Sequence, residues 1–382
     1  MAVARILAVL AAASVLAAGC GAHAKRPASS PSPAVRQPVA RPIPPGCGDA
    51  TALPTRDKLA QLLMVGVRDA GDARAVVADH HVGGIFIGSW TDLSMLTDGS
   101  LANIAAGAGP LPLAVSVDEE GGRVARLSSL IGSAPSARVL AQTHTPDEVY
   151  NMALDRGHKM RNLGITIDFA PVVDVTDAPA NTVIGDRSFG PDPAVVTAYA
   201  GAYARGLRDA GLLPVLKHFP GHGHGSGDSH TGTVTTPPLD DLQSSDLVPY
   251  RTLVTAAPVG VMLGHLQVPG LTGDEPASLS RAAVQLLRGG VGYGGPPFNG
   301  PVFSDDLSSM AAISNRYGVA EAALRTLRAG TDTALWVTTD QVPAVVDRLE
   351  KAVAAGELTM SAIDASVSRI AAVKGPNPRC GH

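Results

Sequence analysis

The amino-acid sequence predicts an α/β protein built as a single (β/α)8 barrel, and three observations carry that expectation. Eight short apolar runs recur through the 382-residue chain, and longer segments with apolar positions at helical spacing lie between them. The carboxyl ends of successive runs collect ionisable side chains, which is where barrel proteins assemble their sites. Parallel strands need crossover connections, and closing eight of them leaves no exposed edge. A doubly wound open sheet is the alternative arrangement of the same alternation. Composition agrees with a large packed body: 45% of residues are hydrophobic, while 4% aromatics against 42 glycines favour closely packed helices and strands. The formal net charge of −4 provides no basic footprint for nucleic acid. Beyond the amino terminus no stretch reaches the roughly eighteen apolar residues of a membrane span.

In chain order, residues 1–19 read as an export signal, with Arg5 before an apolar run and small residues ahead of Cys20. The Ala-Gly-Cys pattern resembles a bacterial lipobox. Cys20 is then expected to become a lipid-modified first residue that ties the protein to the outer face of the cell membrane, with shedding of a fraction left open. An ordinary cleaved signal peptide is the alternative. Residues 20–46, rich in Pro, Ala and Ser, read as a tether, and residues 47–382 as the barrel domain. In an exported protein Cys47 and Cys380, near the two ends of that domain, suit a disulfide; two unpaired surface thiols are the other reading.

The runs fall at residues 62–67, 83–88, 111–118, 165–175, 213–219, 259–265, 301–306 and 333–337, and helical spacing is clearest at 146–163, 193–210 and 311–329. Asp118 and Glu119 end the third run, Asp174 the fourth, Lys217 and His218 the fifth, His265 the sixth, and Asp305 with Asp306 the seventh. Successive residues on an extended segment point to opposite sides, so one of the last two is expected to face a pocket. The fifth run empties into a loop holding His222, His224, Asp228 and His230, spaced by Pro220 and glycines that let the backbone fold back. Histidine, titrating near neutrality, suits proton transfer. The two glycines after Asp118-Glu119-Glu120 read as room for backbone to approach a ligand, with Arg126 close behind. Arg187 sits among turn residues, and a structural ion pair is its plainer reading.

Together these motifs resemble glycoside hydrolase family 3, and within it the single-domain β-N-acetylglucosaminidases, from about residue 58 to 372. The resemblance rests on Lys217-His-Phe-Pro-Gly-His-Gly223 followed by Asp228-Ser-His230, on Ile184-Gly-Asp-Arg-Ser-Phe-Gly190, on Asp118-Glu-Glu-Gly-Gly122 and on Ser304-Asp-Asp-Leu307. His224, where relatives often carry an acid, and Thr233-Val234, in place of the usual Leu-Pro, depart from the pattern. The resemblance implies a barrel enzyme with Asp305 as nucleophile and His230 with Asp228 as acid/base pair. It also implies sugar contacts at Asp118, Arg126, Arg187, Lys217 and His218. The implied activity is a retaining exo-β-N-acetylglucosaminidase, a monomer without metal or organic cofactor, acting on N-acetylglucosamine in cell-wall muropeptides. The Gly-rich loop is expected to move His230 in and out of the site. His265 and Asp174 are read as barrel-mouth support, and Trp90 and Trp336 as packing, with sugar stacking as the alternative. A β-glucosidase of the same family, a zinc hydrolase using the loop histidines, and a non-catalytic sugar binder are the competing functions.

Overall fold

The strand runs are apolar at consecutive positions because each strand is covered on both faces. In the computed structural model, which describes residues 49–109, 111–256 and 258–375, they form β1 (Leu63–Val67), β2 (Gly84–Ile87), β3 (Ala114–Val117), β4 (Ile167–Asp168), β5 (Leu213–Phe219), β6 (Gly260–Leu263), β7 (Val302–Ser304) and β8 (Ala334–Trp336). Neighbours pair in parallel in the order β7-β6-β5-β4-β3-β2-β1-β8. The two ends of that order meet through a parallel bridge between Phe303 and Thr333, with the Ser304 N–H donating to the Thr333 carbonyl at 3.0 Å. The strands therefore form a (β/α)8 barrel and not an open doubly wound sheet.

Side chains alternate across each strand. Met64, Phe86, Ile167, Phe169, Val215 and Phe303 pack together inside the barrel. Leu63, Val65, Ile85, Val261 and Trp336 point the other way and pack beneath the helices, so Trp336 is a core residue. The helices Pro146–Asn162 and Pro193–Asp209 each begin with proline in the first turn behind a side-chain cap. Thr145 and Glu148 form a reciprocal capping box, and Asp192 accepts from the Ala194 N–H at 2.8 Å. The two helices pack so closely that a Cβ on Gly206 would lie 2.5 Å from the Tyr150 carbonyl oxygen.

Two expectations need correction. The segment 311–329 is two helices, Ala311–Ser314 and Val319–Ala329, because the weak helix formers Asn315, Tyr317 and Gly318 interrupt it and Gly318 adopts an extended conformation. The run 165–175 keeps a regular ladder only at Ile167–Asp168, with one further bridge from Val172 to Lys217, since Pro171 has no N–H to continue it. The export signal, Cys20, the tether, Cys47 and Cys380 lie outside the described residues.

Candidate active site

The pocket forms where β3, β5 and β7 and the loops after β4 and β5 end. Its walls include Asp118, Glu120, Arg126, Arg187, Lys217, His218, His222, His230 and Asp305, around a cavity of about 140 Å³. Every catalytic and sugar-binding residue expected from the sequence except Asp228 lines it, and Asp228 is bonded to His230.

The β3 end supplies two carboxylates. Asp118 and Glu120 both line the pocket, being two residues apart on one face, while Glu119 between them turns into the protein. Glu119 pairs with buried Arg156 at 2.5 Å and accepts the Leu127 N–H at 2.7 Å, so it shapes the loop. The glycines that follow have a different use from the one expected. Gly121 has a φ of +89°, and a Cβ there would lie 2.5 Å from the Pro135 carbonyl oxygen, so the close approach is to the chain itself.

Glu120 is the residue the sequence reading missed. Buried, it accepts from Arg187 through both oxygens, at 2.8 and 2.9 Å, and meets Lys217 Nζ at 2.6 Å. Lys217 Nζ also reaches Asp118 at 2.6 Å. Burial alone would raise the Glu120 carboxyl, but the charges of Arg187 and Lys217 outweigh it and hold it far below the usual carboxylate range. Burial would likewise lower Lys217, yet Asp118 and Glu120 raise it, so the ammonium persists. The alternation that links positions 118 and 120 was the available signal. Arg187 is delivered by a short 3-10 turn, Gly185–Arg187. Arg123 braces that loop through the carbonyls of Thr182, Val183 and Ile184, and Arg138 through those of Thr176 and Gly185.

Replacing Glu120 by glutamine removes the charge that Lys217 and Arg187 share. We expect kcat/KM to fall by about tenfold or more as the two cations lose their common anchor. Because the carboxyl titrates lower in the fold than at its ordinary 4.5, it stabilises the folded state above that pH, and the contribution fades as pH falls. The variant's melting temperature should therefore depend less steeply on pH between about 5 and 3. An unchanged pH profile of melting together with an unchanged KM would contradict this account.

On β5, Lys217 and His218 are joined by a cis peptide and both line the pocket. His218 Nδ1 contacts the Asp174 carboxylate at 2.7 Å, and Asp174 also accepts the His222 N–H at 2.7 Å. Gly223 lets the loop pass the fourth run, since a Cβ there would lie 2.0 Å from the Val175 carbonyl oxygen. His224 turns away to Asp246 at 2.8 Å, and among the described residues no three His, Cys, Asp or Glu side chains are grouped as a metal ion would require. His265 lies between the Ser278 hydroxyl and the Asp306 carbonyl, both at 2.7 Å. A carbonyl only accepts, so Nε2 carries a proton toward Asp306. Asp174 and His265 thus brace the barrel mouth.

The loop after β5 brings His230 to the rim, its side chain 57% exposed. Its Nδ1 lies 2.7 Å from Asp228 Oδ1, which also accepts the His230 N–H at 2.9 Å. The carboxylate can only accept, so the ring proton sits on Nδ1 and Nε2 remains for exchange with a ligand. Two backbone bonds dock the loop on the segment after β7: the Ala312 N–H donates to the Ser229 carbonyl (3.1 Å) and the Ala311 N–H to that of His230 (3.4 Å). Of the two aspartates ending β7, Asp305 lines the pocket. Asp306 is buried and accepts from the backbone and hydroxyls of Ser308 and Ser309. Burial pushes the Asp305 carboxyl up, but His265, His218, the Asp306 N–H and Lys217 outweigh it, leaving it below the ordinary aspartate range.

An ionised carboxylate and an imidazole held in one tautomer thus share a cavity ringed by fixed cations. Residues 54–373 match the family model described as the glycosyl hydrolase family 3 N-terminal domain. The chain is 70% identical over 391 aligned positions to the beta-hexosaminidase LpqI of Mycobacterium tuberculosis strain H37Rv, with 100% of each covered. It is 35% identical over 293 positions to a beta-hexosaminidase of Stenotrophomonas maltophilia, covering 75% of this chain and 83% of that one. Among solved structures, M. tuberculosis LpqI superposes with a TM-score of 0.86 and 74% identity, covering 89% of this chain and 100% of the other. A family 3 β-N-acetylglucosaminidase of Paenibacillus sp. superposes with a TM-score of 0.78 and 35% identity, covering 84% and 62%.

Proposed function

Because this chain belongs to glycosyl hydrolase family 3, we propose that it is a retaining exo-β-N-acetylglucosaminidase that removes terminal β-linked N-acetylglucosamine from cell-wall muropeptides. The observation that carries the reading is that Asp305 and the Asp228-oriented His230 line one cavity of about 140 Å³. Retaining hydrolysis needs a nucleophile below the anomeric carbon and a proton donor beside the scissile oxygen. Asp305 Oδ attacks the anomeric carbon, and the bond to the leaving oxygen breaks as that oxygen takes the Nε2 proton of the His230 imidazolium. Neutral His230 then accepts a proton from water, whose oxygen attacks the same carbon and releases Asp305. Asp228 keeps Nδ1 protonated throughout. Burial raises its own carboxyl, but its bonds to His230 more than offset this and keep it ionised. Asp118, Arg126, Arg187, Lys217 and His218 hold the sugar hydroxyls and the N-acetyl carbonyl, with the cations acting only as donors.

The protein as proposed works as a lipid-anchored monomer on the outer face of the membrane, an assignment supported by the sequence around Cys20 and testable by labelled-palmitate incorporation with and without Cys20→Ser. For the activity, aryl β-N-acetylglucosaminide should be hydrolysed with a kcat/KM at least about a hundredfold above that for aryl β-glucoside, since a site built to bond the amide is left unpaired by a hydroxyl. Comparable rates would point to the β-glucosidase reading.

A further inference from the structure

The chain has two tryptophans, and Trp90 remains 45% exposed although its ring is fixed. It follows β2, on the carboxyl-terminal face of the barrel onto which the pocket opens. The turn carrying it is tied to β1: the Thr91 hydroxyl donates to the Val67 carbonyl at 2.7 Å and accepts from the Gly88 N–H at 3.0 Å. The six-membered part of the indole lies over Gly88, where a Cβ would be 2.4 Å away, and the ring meets Phe86 at 6.0 Å between centroids. The aromatic row continues from Phe86 to Phe169 at 6.0 Å and on to Phe303 at 5.6 Å. These three rings cross the barrel interior, and Phe303 stands two residues before Asp305. Trp90 is therefore the rim end of an aromatic row that crosses the barrel interior.

A locked indole with one side packed and the rest open to water is a preorganised surface for the apolar C–H face of a pyranose. In the function proposed above the cleaved sugar fills the cavity of about 140 Å³, which places the sugar on the far side of the scissile bond toward the rim. Among the described residues the exposed large hydrophobics are Trp90, Leu130, Val139 and Val291, and Trp90 is the aromatic among them. Resting on the function proposed above, we propose that Trp90 forms an aglycone subsite, stacking on the pyranose ring that leaves with the scissile oxygen. It thereby favours sugar-linked over simple alkyl substrates.

The test compares the full-length protein on N,N′-diacetylchitobiose, whose aglycone is a pyranose, and on methyl β-N-acetylglucosaminide, whose aglycone is not. Trp90→Ala should lower kcat/KM on the disaccharide by about threefold to tenfold and leave the methyl glycoside within twofold. Gly88→Ala, which displaces the indole without removing it, should show the same selective loss. Equal losses on both substrates, or none on the disaccharide, would overturn the subsite. Binding gives a second readout: in an Asp305→Asn background the disaccharide should change tryptophan emission saturably, and adding Trp90→Phe should abolish the change. If the unmodified protein hydrolyses neither substrate, the glycosidase reading fails, and this titration alone decides the subsite, an unchanged emission overturning it.

Discussion

Asp305→Ala is expected to lower kcat on aryl β-N-acetylglucosaminide by on the order of 10⁴-fold or more, the scale on which loss of a covalent nucleophile is felt. The fold should survive, because among the described residues the one hydrogen bond to the Asp305 carboxylate comes from the N–H of the next residue, at 2.8 Å. The melting temperature should shift by only a few degrees. The neighbouring Asp306→Ala is the opposing control: its carboxylate caps Ser308 and Ser309, so the variant should lose stability first. A fluorinated N-acetylglucosaminyl fluoride that slows the second step should trap a covalent adduct on the peptide carrying Asp305. Labelling of Asp306 instead, or full activity without Asp305, would sink the assignment.

The second large effect belongs to His230. Its replacement by alanine should slow turnover by about 10²- to 10⁴-fold on substrates whose leaving oxygen must be protonated. With a dinitrophenyl leaving group, which departs without a proton, the first step should recover much of its rate while the second stays slow. The covalent intermediate then accumulates, seen as a burst, and added azide should speed its breakdown because it attacks without a general base. Asp228→Asn should give a smaller loss of the same kind, since the ring stays in place but its tautomer is no longer fixed. A uniform loss across leaving groups, without a burst, would reduce His230 to a binding residue. Because Ala311 and Ala312 hold the loop only through backbone groups, neither substitution removes its docking.

What lay open in the sequence was whatever depends on local pattern. The eight strands showed as apolar runs because a parallel strand is buried on both faces, and the ionisable residues stood at their carboxyl ends because that is where a barrel exposes its strand termini. The family motifs supplied roles for Asp305, His230 and Asp228, and alternation predicted that Asp305 and Asp306 would part. Where local rules competed, the reading slipped: Pro171 cut short a run that composition extended, and Gly318 split a helix that periodicity joined. Partnership was decided only by tertiary structure. That Glu120, and not Glu119, ties Lys217 to Arg187, that Gly121 makes room for Pro135, and that Trp90 ends an aromatic row leading to Phe303 all depend on segments that are not neighbours in the sequence. A side chain's type is written in the chain, but its charge state and partner are set by which distant groups packing brings within a few ångströms, where low dielectric makes their fields strong.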